Sequence, residues 1–509
     1  MQNLAEHSKT LILGGAALSL GAIFQILFYE QEIGFNFSLF AVCVVACGLL
    51  LAYMFSRPMK REQHVLVILA LFFASMVFVR SSEMLTFFNV LGSFLLLLIA
   101  VSTYTGKNIT TYLFGDYAKV IFLPLRFIGP FFETFLEIVS LSSLGGDHSR
   151  RKEIIRGSLM AVVAVVIFAG LFASADAVFE SILSKIFRFE LGEELVHRLI
   201  LGAIATAFFI GAFGFMFKKL HLSLDTLSSA QSLRNLGAIE TMILLGSINI
   251  LFLTFILLQL AHLFGGESHL LTEGLTYAEY ARKGFFELVV VAIFSYLIIS
   301  FTEKQIIKND ESHLRSFKIL SGVLIVQVVF ILISAFTRLS LYESAYGFTN
   351  ARLFGHAFMI WIGVVLILLA HHIVTNGDRA AFTLRTGCTI VLLLFTMNML
   401  NPDVFIAKKN LERYAATGQL DANYLGNLSF DALPYTIHLL NDPDPVISKS
   451  YARGLFWKNH YGYAEGATWQ SARLNSAKAK QLVAPHLTFL EENKDYLLNE
   501  NSLENSLKP

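Results

Sequence analysis

TLILGGAALSLGAIFQILF, residues 10–28, decides the fold class of this chain. The run carries no charged residue, and about 20 consecutive apolar residues are enough for a helix to cross the hydrocarbon core of a bilayer. A cleavable signal peptide would have a shorter apolar core followed by a small-residue cleavage site, and neither is evident here. The segment is therefore predicted to be a retained first transmembrane helix.

The composition of the whole chain agrees with this interpretation. Hydrophobic residues make up 55% of the 509 residues, charged residues only 15%, and 47 residues are Phe, which is more apolar surface than a soluble chain of this length could bury. Ten further apolar runs lie at residues 37–54, 65–79, 84–103, 157–173, 199–217, 238–264, 284–301, 319–336, 354–370 and 386–400. The sequence thus predicts an all-α, polytopic helical membrane protein of about 11 spans.

The orientation of the spans follows from lysine and arginine in the connecting segments, because cytoplasmic loops carry an excess of both. With the N-terminus taken as cytoplasmic, the cytoplasmic connections hold twenty Lys and Arg residues and the opposite connections hold eight. We therefore expect a cytoplasmic N-terminus and, with eleven spans, a C-terminal tail outside. One span more or fewer would reverse the side of the tail.

Two connections are too apolar to be plain loops. Residues 111–144 mix apolar and polar side chains and contain Pro124 and Pro130, so an interfacial helix pair or a re-entrant insert is expected there. Residues 176–198 are similar but more acidic. They are expected to lie along the outer surface as an amphipathic helix.

Beyond residue 400 the composition changes sharply. The chain is therefore divided into a transmembrane helical domain, residues 1–400, and an extramembrane helical tail domain, residues 401–509. Asn401 and Pro402 can begin a helix, and later prolines and glycines separate further short helices. Such a tail either covers the last spans as a rigid cap or binds a protein partner, and both roles stay open.

The densest mixture of aromatic and charged residues beside a predicted span is YAEYARKGFFE, residues 277–287. On a helix, Glu279, Lys283 and Glu287 share one face and can form successive ion pairs. The alternative is an ordinary helix terminus at the membrane interface, with aromatic side chains at headgroup level and basic side chains extending to water. Because Glu287 would otherwise enter lipid, it is expected to face protein near Lys283 or Arg352.

A second polar segment, RLSLYESAYGFTNARLFGH at residues 338–356, precedes the tenth predicted span. Arg338, Tyr342 and Tyr346 follow one another at i, i+4 spacing, so they lie on one helix face. The predicted topology places both segments and His262 on the outer side, where we expect one outward-facing polar pocket. Its candidate residues are Tyr277, Glu279, Tyr280, Arg282, Lys283, Glu287, Arg338, Tyr342, Glu343, Tyr346, Arg352, His356 and His262.

These residues give little support for a metal site or a cofactor site. The three cysteines lie inside apolar runs and are expected to pack as small hydrophobes, and His262, Glu287 and His356 have no spacing that guarantees a shared metal site. No phosphate-binding glycine loop, Ser-His-Asp order or pair of catalytic carboxylates stands out. We therefore expect no metal and no cofactor, assign no catalytic residue, and favour a protein that is not an enzyme. A net charge of +1 without a long basic run also argues against nucleic acid as a partner.

Three motifs, in order along the chain, resemble those of a known family. They are YAEYARKGFFEL at residues 277–288, LYESAYGFT at residues 341–349 with Arg352, and NPDVFIA at residues 401–407 with Asn410, Arg413 and Tyr414. The motifs resemble bacterial multi-pass membrane proteins catalogued as a domain of unknown function, most closely the family numbered four-one-seven-three and next the one numbered four-one-five-three. The resemblance covers residues 277–440. It implies a protein of the bacterial cytoplasmic (inner) membrane and brings neither catalytic residues nor a cofactor.

Two functions stand as hypotheses. The first is a non-enzymatic envelope sensor or scaffold that binds a ligand or partner through the outer polar pocket and the helical tail, and the scarcity of charge deep in the spans favours it. The second is a permease or lipid-handling protein whose substrate enters near Glu287 and Arg352. All nine prolines fall outside the predicted spans, so proline gives no support for the broken helices of transporters.

Overall fold

The computed structural model describes residues 2–141, 193–218, 237–264, 285–305, 311–462 and 468–486, together with 488 and 490. Within these ranges the chain forms seventeen α-helices and no strand, which confirms the predicted all-α class. Helices α1 to α6 are Gln2–Phe28, Phe35–Met54, Arg61–Val79, Glu83–Thr105, Phe114–Ile121 and Ile128–Leu141. Helices α7 to α12 are Glu193–Phe217, Ala238–Phe264, Phe285–Gln305, Glu311–Tyr346, Asn350–Thr375 and Arg379–Leu400. Helices α13 to α17 are Pro402–Thr417, Ala422–Asn427, Leu433–Thr436, Pro445–Gly462 and Ser476–Val483.

Nine of the helices in the described ranges are long and apolar enough to cross a membrane, namely α1 to α4, α7, α8 and α10 to α12. They coincide with nine of the eleven predicted runs. Both of the short runs, 65–79 and 386–400, belong to longer helices, α3 and α12. The described part of the run at 284–301 belongs to α9, which is not among the nine. The run at 157–173 lies outside the described residues. Of the segment 176–198, only the last residues are described, and they form the start of α7.

Helices α1 to α4, α6 and α7 form an N-terminal bundle. α1 packs along α7, and their shared core includes Leu13 and Phe213. Glycine permits this close approach, because a Cβ atom at Gly21 would collide with Thr206 and with the backbone of Gly202. Small residues at a crossing of two transmembrane helices allow the two backbones to pack closely.

Helices α8 to α12 form a second bundle around α10. α10 contacts α8, α9 and α11 and buries Phe317 and Leu324. Two amides connect α8 to α10: the Asn249 side chain donates to the Leu320 carbonyl at 3.1 Å, and the Gln327 side chain donates to the Asn249 carbonyl at 3.1 Å. Among apolar side chains, such bonds satisfy polar groups that have no water to contact.

A pair of asparagines joins the two bundles where α4 meets α12. Asn89 and Asn398 are both fully buried. Each amide donates to the oxygen of the other, at 2.9 and 2.7 Å. The pair therefore satisfies two buried amides at once, whereas either asparagine alone would leave a polar group without a partner.

The predicted insert at 111–144 forms two short helices within its described part. α5 and α6 are separated by a 3-10 turn, Leu123–Phe127, that contains Pro124. The turn packs against α7, where Phe127 approaches the backbone position of Gly211. Whether these helices are interfacial or re-entrant stays a prediction, as does their depth in the bilayer.

The tail begins where the sequence indicated. α12 ends at Leu400, Asn401 adopts a left-handed backbone with φ of 52°, and Pro402 starts α13, a position where its missing N–H costs nothing. The described tail residues share one hydrophobic core, including Tyr451 and Leu455, with side chains of α4, α11 and α12. The tail is therefore built onto the ends of these helices, while the division into two domains at residue 400 stays a prediction.

Candidate functional site

The first part of the predicted polar pocket is not described by the structure. The residues that lie outside the described ranges are Tyr277, Glu279, Tyr280, Arg282 and Lys283. His262 belongs to α8, but its side chain is not described. Glu287 lies in the first turn of α9 with an exposed side chain. Lys283, one of its two expected partners, lies outside the described residues, so the expectation that Glu287 faces protein stays a prediction.

The second polar segment forms the end of α10 and the start of α11. Glu343 and His356 are 5% and 8% exposed, and His356 Nδ1 lies 3.3 Å from Glu343 Oε1. The other ring nitrogen of His356 lies 3.2 Å from Ser340 Oγ, and the ring packs edge-on against Phe336 with the ring centroids 4.3 Å apart. The imidazole thus connects a hydroxyl and a carboxylate, and all three groups lie at the contact between α10 and α11.

An arginine and two tyrosines surround the turn between α10 and α11. The Arg352 guanidinium lies 4.2 Å above the Tyr342 ring and donates a hydrogen bond to the Gly347 carbonyl. Tyr342 in turn contacts Tyr346, with ring centroids 5.0 Å apart. Gly347 has a φ of 82° and ends α10, a conformation that glycine adopts without a Cβ clash. Arg352 therefore contacts its own turn rather than standing free at a pocket mouth. Arg338 lies one helical turn before Tyr342 and is half-buried.

The tail packs against this turn through α13. Asn410 in α13 accepts a hydrogen bond from the Phe348 N–H and donates one to the Phe348 carbonyl, both at 2.8 Å. Arg413, also in α13, donates to the carbonyls of Ser344 at 3.0 Å and Ala345 at 2.6 Å. The second and third motifs of the family resemblance are thus in direct contact. The predicted outer pocket itself stays a prediction, since its first half is not described.

Two buried carboxylates fix the tail at neighbouring loops. Asp431 accepts hydrogen bonds from the Ser81 N–H at 3.3 Å and from the side chain of Asn475 at 2.8 Å. Asp403 accepts from the side chain of Asn350 at 2.9 Å. Hydrogen bonds to ionised carboxylates are stronger than those between neutral groups, so these contacts hold the tail to the α3–α4 and α10–α11 turns.

Lys458 in α16 lies close to these carboxylates. Burial lowers the pKa of Lys458 to about 7, although Asp403, Asp431 and Glu83 act in the opposite direction. The ammonium group also lies 4.1 Å above the Phe430 ring. Because loss of water favours the neutral amine while nearby carboxylates favour the ion, Lys458 can change its charge near neutral pH.

A cavity that sequence reasoning missed lies in the N-terminal bundle. It has a volume of about 570 Å³ and is bordered by α1, α2, α4, α7 and the 3-10 turn. Among its lining residues in the described ranges, Ser93 alone has a polar side chain. Phenylalanines dominate the wall, and they are Phe24, Phe28, Phe37, Phe40, Phe94, Phe127, Phe208, Phe209 and Phe213. The high phenylalanine content of the sequence hinted at an aromatic cavity, but it does not reveal which phenylalanine rings lie close together.

These features define a polytopic helical membrane protein with a folded C-terminal tail and an apolar cavity between its first spans. The chain belongs to the family described as Domain of unknown function (DUF4153), whose family model matches residues 67–439, more than half of the chain. The prediction that placed the family numbered four-one-seven-three first is wrong, and the match extends well before residue 277. Searches of curated proteins and of solved structures found no match.

Proposed function

We propose that this integral membrane protein handles lipid by holding a hydrocarbon chain in the apolar cavity of its N-terminal bundle. The observation that supports the proposal is the 570 Å³ cavity, whose lining in the described part of the chain is apolar except for Ser93. Such an apolar lining offers water almost no hydrogen-bond partner, so an apolar ligand is the chemically matched occupant. The proposal moves the lipid-handling hypothesis away from Glu287 and Arg352.

The length of the cavity matches a lipid chain. Its lining runs along α2 from Phe37 to Gly48 and along α4 from Val90 to Val101. Eleven residues of helix rise about 16 Å at 1.5 Å per residue. One leaflet contributes about half of a hydrocarbon core that is about 30 Å thick. The cavity is therefore about as long as one leaflet is deep.

Burial of its acyl chain gives a lipid no reason to prefer this cavity over the surrounding bilayer. Lipid tails are as apolar as leucine side chains, so moving a chain from the bilayer into the protein has no hydrophobic driving force. Retention of a lipid must then come from the shape of the aromatic wall and from contacts to the headgroup. This requirement makes specific labelling of the wall the appropriate test.

The test is photocrosslinking with a phospholipid that carries a photoactivatable acyl chain, applied to the full-length protein in membranes. A phenylalanine at Gly48 would project into open space in the cavity wall, because a Cβ atom there meets nothing within 4 Å. Gly15→Phe is the matched control, since Gly15 also meets nothing within 4 Å and is exposed on α1 away from the lining.

We expect wild-type protein and Gly15→Phe to be labelled in α2, α4 and α7, and Gly48→Phe to lose most of this labelling. Equal labelling of the two variants would contradict the proposal. Labels distributed over the outer faces of all helices would do so as well, because they would indicate ordinary contact with the bilayer.

The envelope sensor or scaffold hypothesis stays a prediction. The close packing of the described tail onto the helix ends favours a rigid cap over a free binding module. Crosslinking the tail in living cells tests the partner hypothesis, and recovery of no specific protein would count against it. The lipid bilayer remains the expected environment, and the side of the membrane that holds the tail stays a prediction too.

A further inference from the structure

We infer that the lipid held in this cavity is an anionic glycerophospholipid whose phosphate is bound by Arg57 and Lys60. The inference rests on the proposed function, because it concerns the headgroup of the same lipid. Its basis is a second, polar recess at the end of the apolar cavity.

The polar recess and the apolar cavity are contiguous. The recess has a volume of about 370 Å³, and its lining includes Arg57, Lys60 and Tyr104. Met216 lines both spaces. Met59 lines the apolar cavity, while its sequence neighbours Pro58 and Lys60 line the recess. A single amphipathic molecule can therefore place its chain in one space and its headgroup in the other.

The recess carries positive charge that no carboxylate in the described ranges neutralises. Within the described part of the chain, Arg57 forms no ion pair, and Lys60 Nζ donates only to the neutral amide oxygen of Asn108, at 2.9 Å. The nearest acidic side chain along the sequence, Glu62, accepts from the backbone N–H of Ile109 at 3.0 Å. Two cationic side chains thus line the recess without a carboxylate partner among the described residues.

The backbone that carries Arg57 is held in place. Tyr104 in α4 donates its hydroxyl hydrogen to the Arg57 carbonyl at 2.7 Å, and the preceding Ser56 has a φ of 54°. The Arg57 N–H donates to the Ala52 carbonyl at 2.9 Å. Because both the N–H and the carbonyl of Arg57 are hydrogen-bonded, its backbone is held in place at the recess.

This arrangement selects an anionic lipid over a zwitterionic one. A guanidinium and an ammonium bind phosphate oxygens by charge-assisted hydrogen bonds, and basic groups beside transmembrane helices bind anionic headgroups. A choline headgroup would bring its own positive charge next to Arg57 and Lys60. A free phosphate ion has no chain to occupy the adjoining apolar cavity, so the bilayer is the expected source of the ligand.

The experiment compares lipid preference in nanodiscs that contain the full-length protein. Phosphatidylglycerol and phosphatidylcholine, each with a photoactivatable chain, compete for labelling of the cavity wall, and mass spectrometry gives the ratio of the two adducts. The test variant is Arg57→Gln with Lys60→Gln. The control is Lys107→Gln with Arg126→Gln, which removes the same charge from residues outside the lining of the recess.

We expect wild type and control to prefer phosphatidylglycerol, and the test variant to lose this preference roughly tenfold while its acyl labelling continues. Arg57→Lys should retain most of the preference. Continued wall labelling with an unchanged lipid ratio in the test variant would overturn the headgroup assignment and leave the proposed function standing. Absence of wall labelling in wild type would overturn both. Loss of the preference on adding millimolar inorganic phosphate would also overturn it, by identifying a site for free phosphate.

Discussion

Removal of one amide should open the contact between the tail and the α10–α11 turn. Asn410 is 7% exposed and forms two hydrogen bonds of 2.8 Å to the backbone of Phe348. In Asn410→Ala, both bonds are lost and the Phe348 N–H and carbonyl lose their partner. An unsatisfied buried group costs about 1–3 kcal/mol. Because Phe348 is only half-buried, the lower part of this range applies to each group, and the two together should destabilise the docked tail by about 2–4 kcal/mol.

Hydrogen exchange measures this change locally. A global unfolding temperature would not be well defined for a chain with several packed units, whereas amide exchange reports the free energy of opening of a single segment. A loss of about 2–4 kcal/mol corresponds to exchange that is roughly thirty to a thousand times faster. The increase should appear in α13 and α14 and be absent from the core of α10.

Asn427→Ala is the matched control for this prediction. Asn427 is an exposed asparagine of the tail, and its side chain donates to the Asn423 carbonyl within its own helix at 3.0 Å. Its replacement should leave exchange in α13 unchanged. If Asn410→Ala and Asn427→Ala exchange equally fast, the contact with Phe348 does not hold the tail, and the reasoning is refuted.

Two further predictions concern α1 and Lys458. Gly21→Val should prevent normal packing of α1 against α7, because the new side chain collides with the backbone of Gly202. Size-exclusion chromatography of this variant should show aggregated or degraded protein. The control Gly15→Val should elute as wild type does, because Gly15 has open space around it. Burial lowers the folded pKa of Lys458 to about 7 from 10.5, so the unfolded tail binds more protons between these values and the tail should gain stability as pH rises from about 7 to about 10. Hydrogen exchange of α16 at several pH values checks this, and an equally steep pH dependence in Lys458→Met would contradict it.

The sequence predicted the helices well because composition alone determines them. A run such as residues 10–28 has no alternative to a transmembrane helix, since its backbone groups can be satisfied in lipid only within the helix itself. The start of α13 could also be predicted from neighbouring residues alone, because Asn401 and Pro402 together favour the beginning of a helix. Glu287 shows the limit of such reasoning: its side chain is exposed in the described structure, and its expected contact with Lys283 or Arg352 stays a prediction.

Contacts between distant segments could not be predicted from a single sequence. Ser81 and Asp431 are hydrogen-bonded across 350 positions of the chain, and Asn89 and Asn398 across 309. No periodicity or spacing connects such residues, so the docking of the tail and the junction of the two bundles appear only in the structure. The apolar cavity was missed for the same reason, since each of its phenylalanines is indistinguishable in sequence from a core residue.

The tail and the cavity meet at the turn between α1 and α2. Arg473 of the tail donates to the Ile33 carbonyl at 3.2 Å, the Phe35 N–H donates to the Ala472 carbonyl at 2.9 Å, and Ile33 also lines the apolar cavity. A displacement of the tail would therefore move a residue of the cavity wall. Because the opposite end of the cavity adjoins Arg57 and Lys60, a lipid bound along its length would contact the headgroup recess at one end and a tail-supported turn at the other. The turn between α1 and α2 thus connects the tail to the wall of the proposed lipid site.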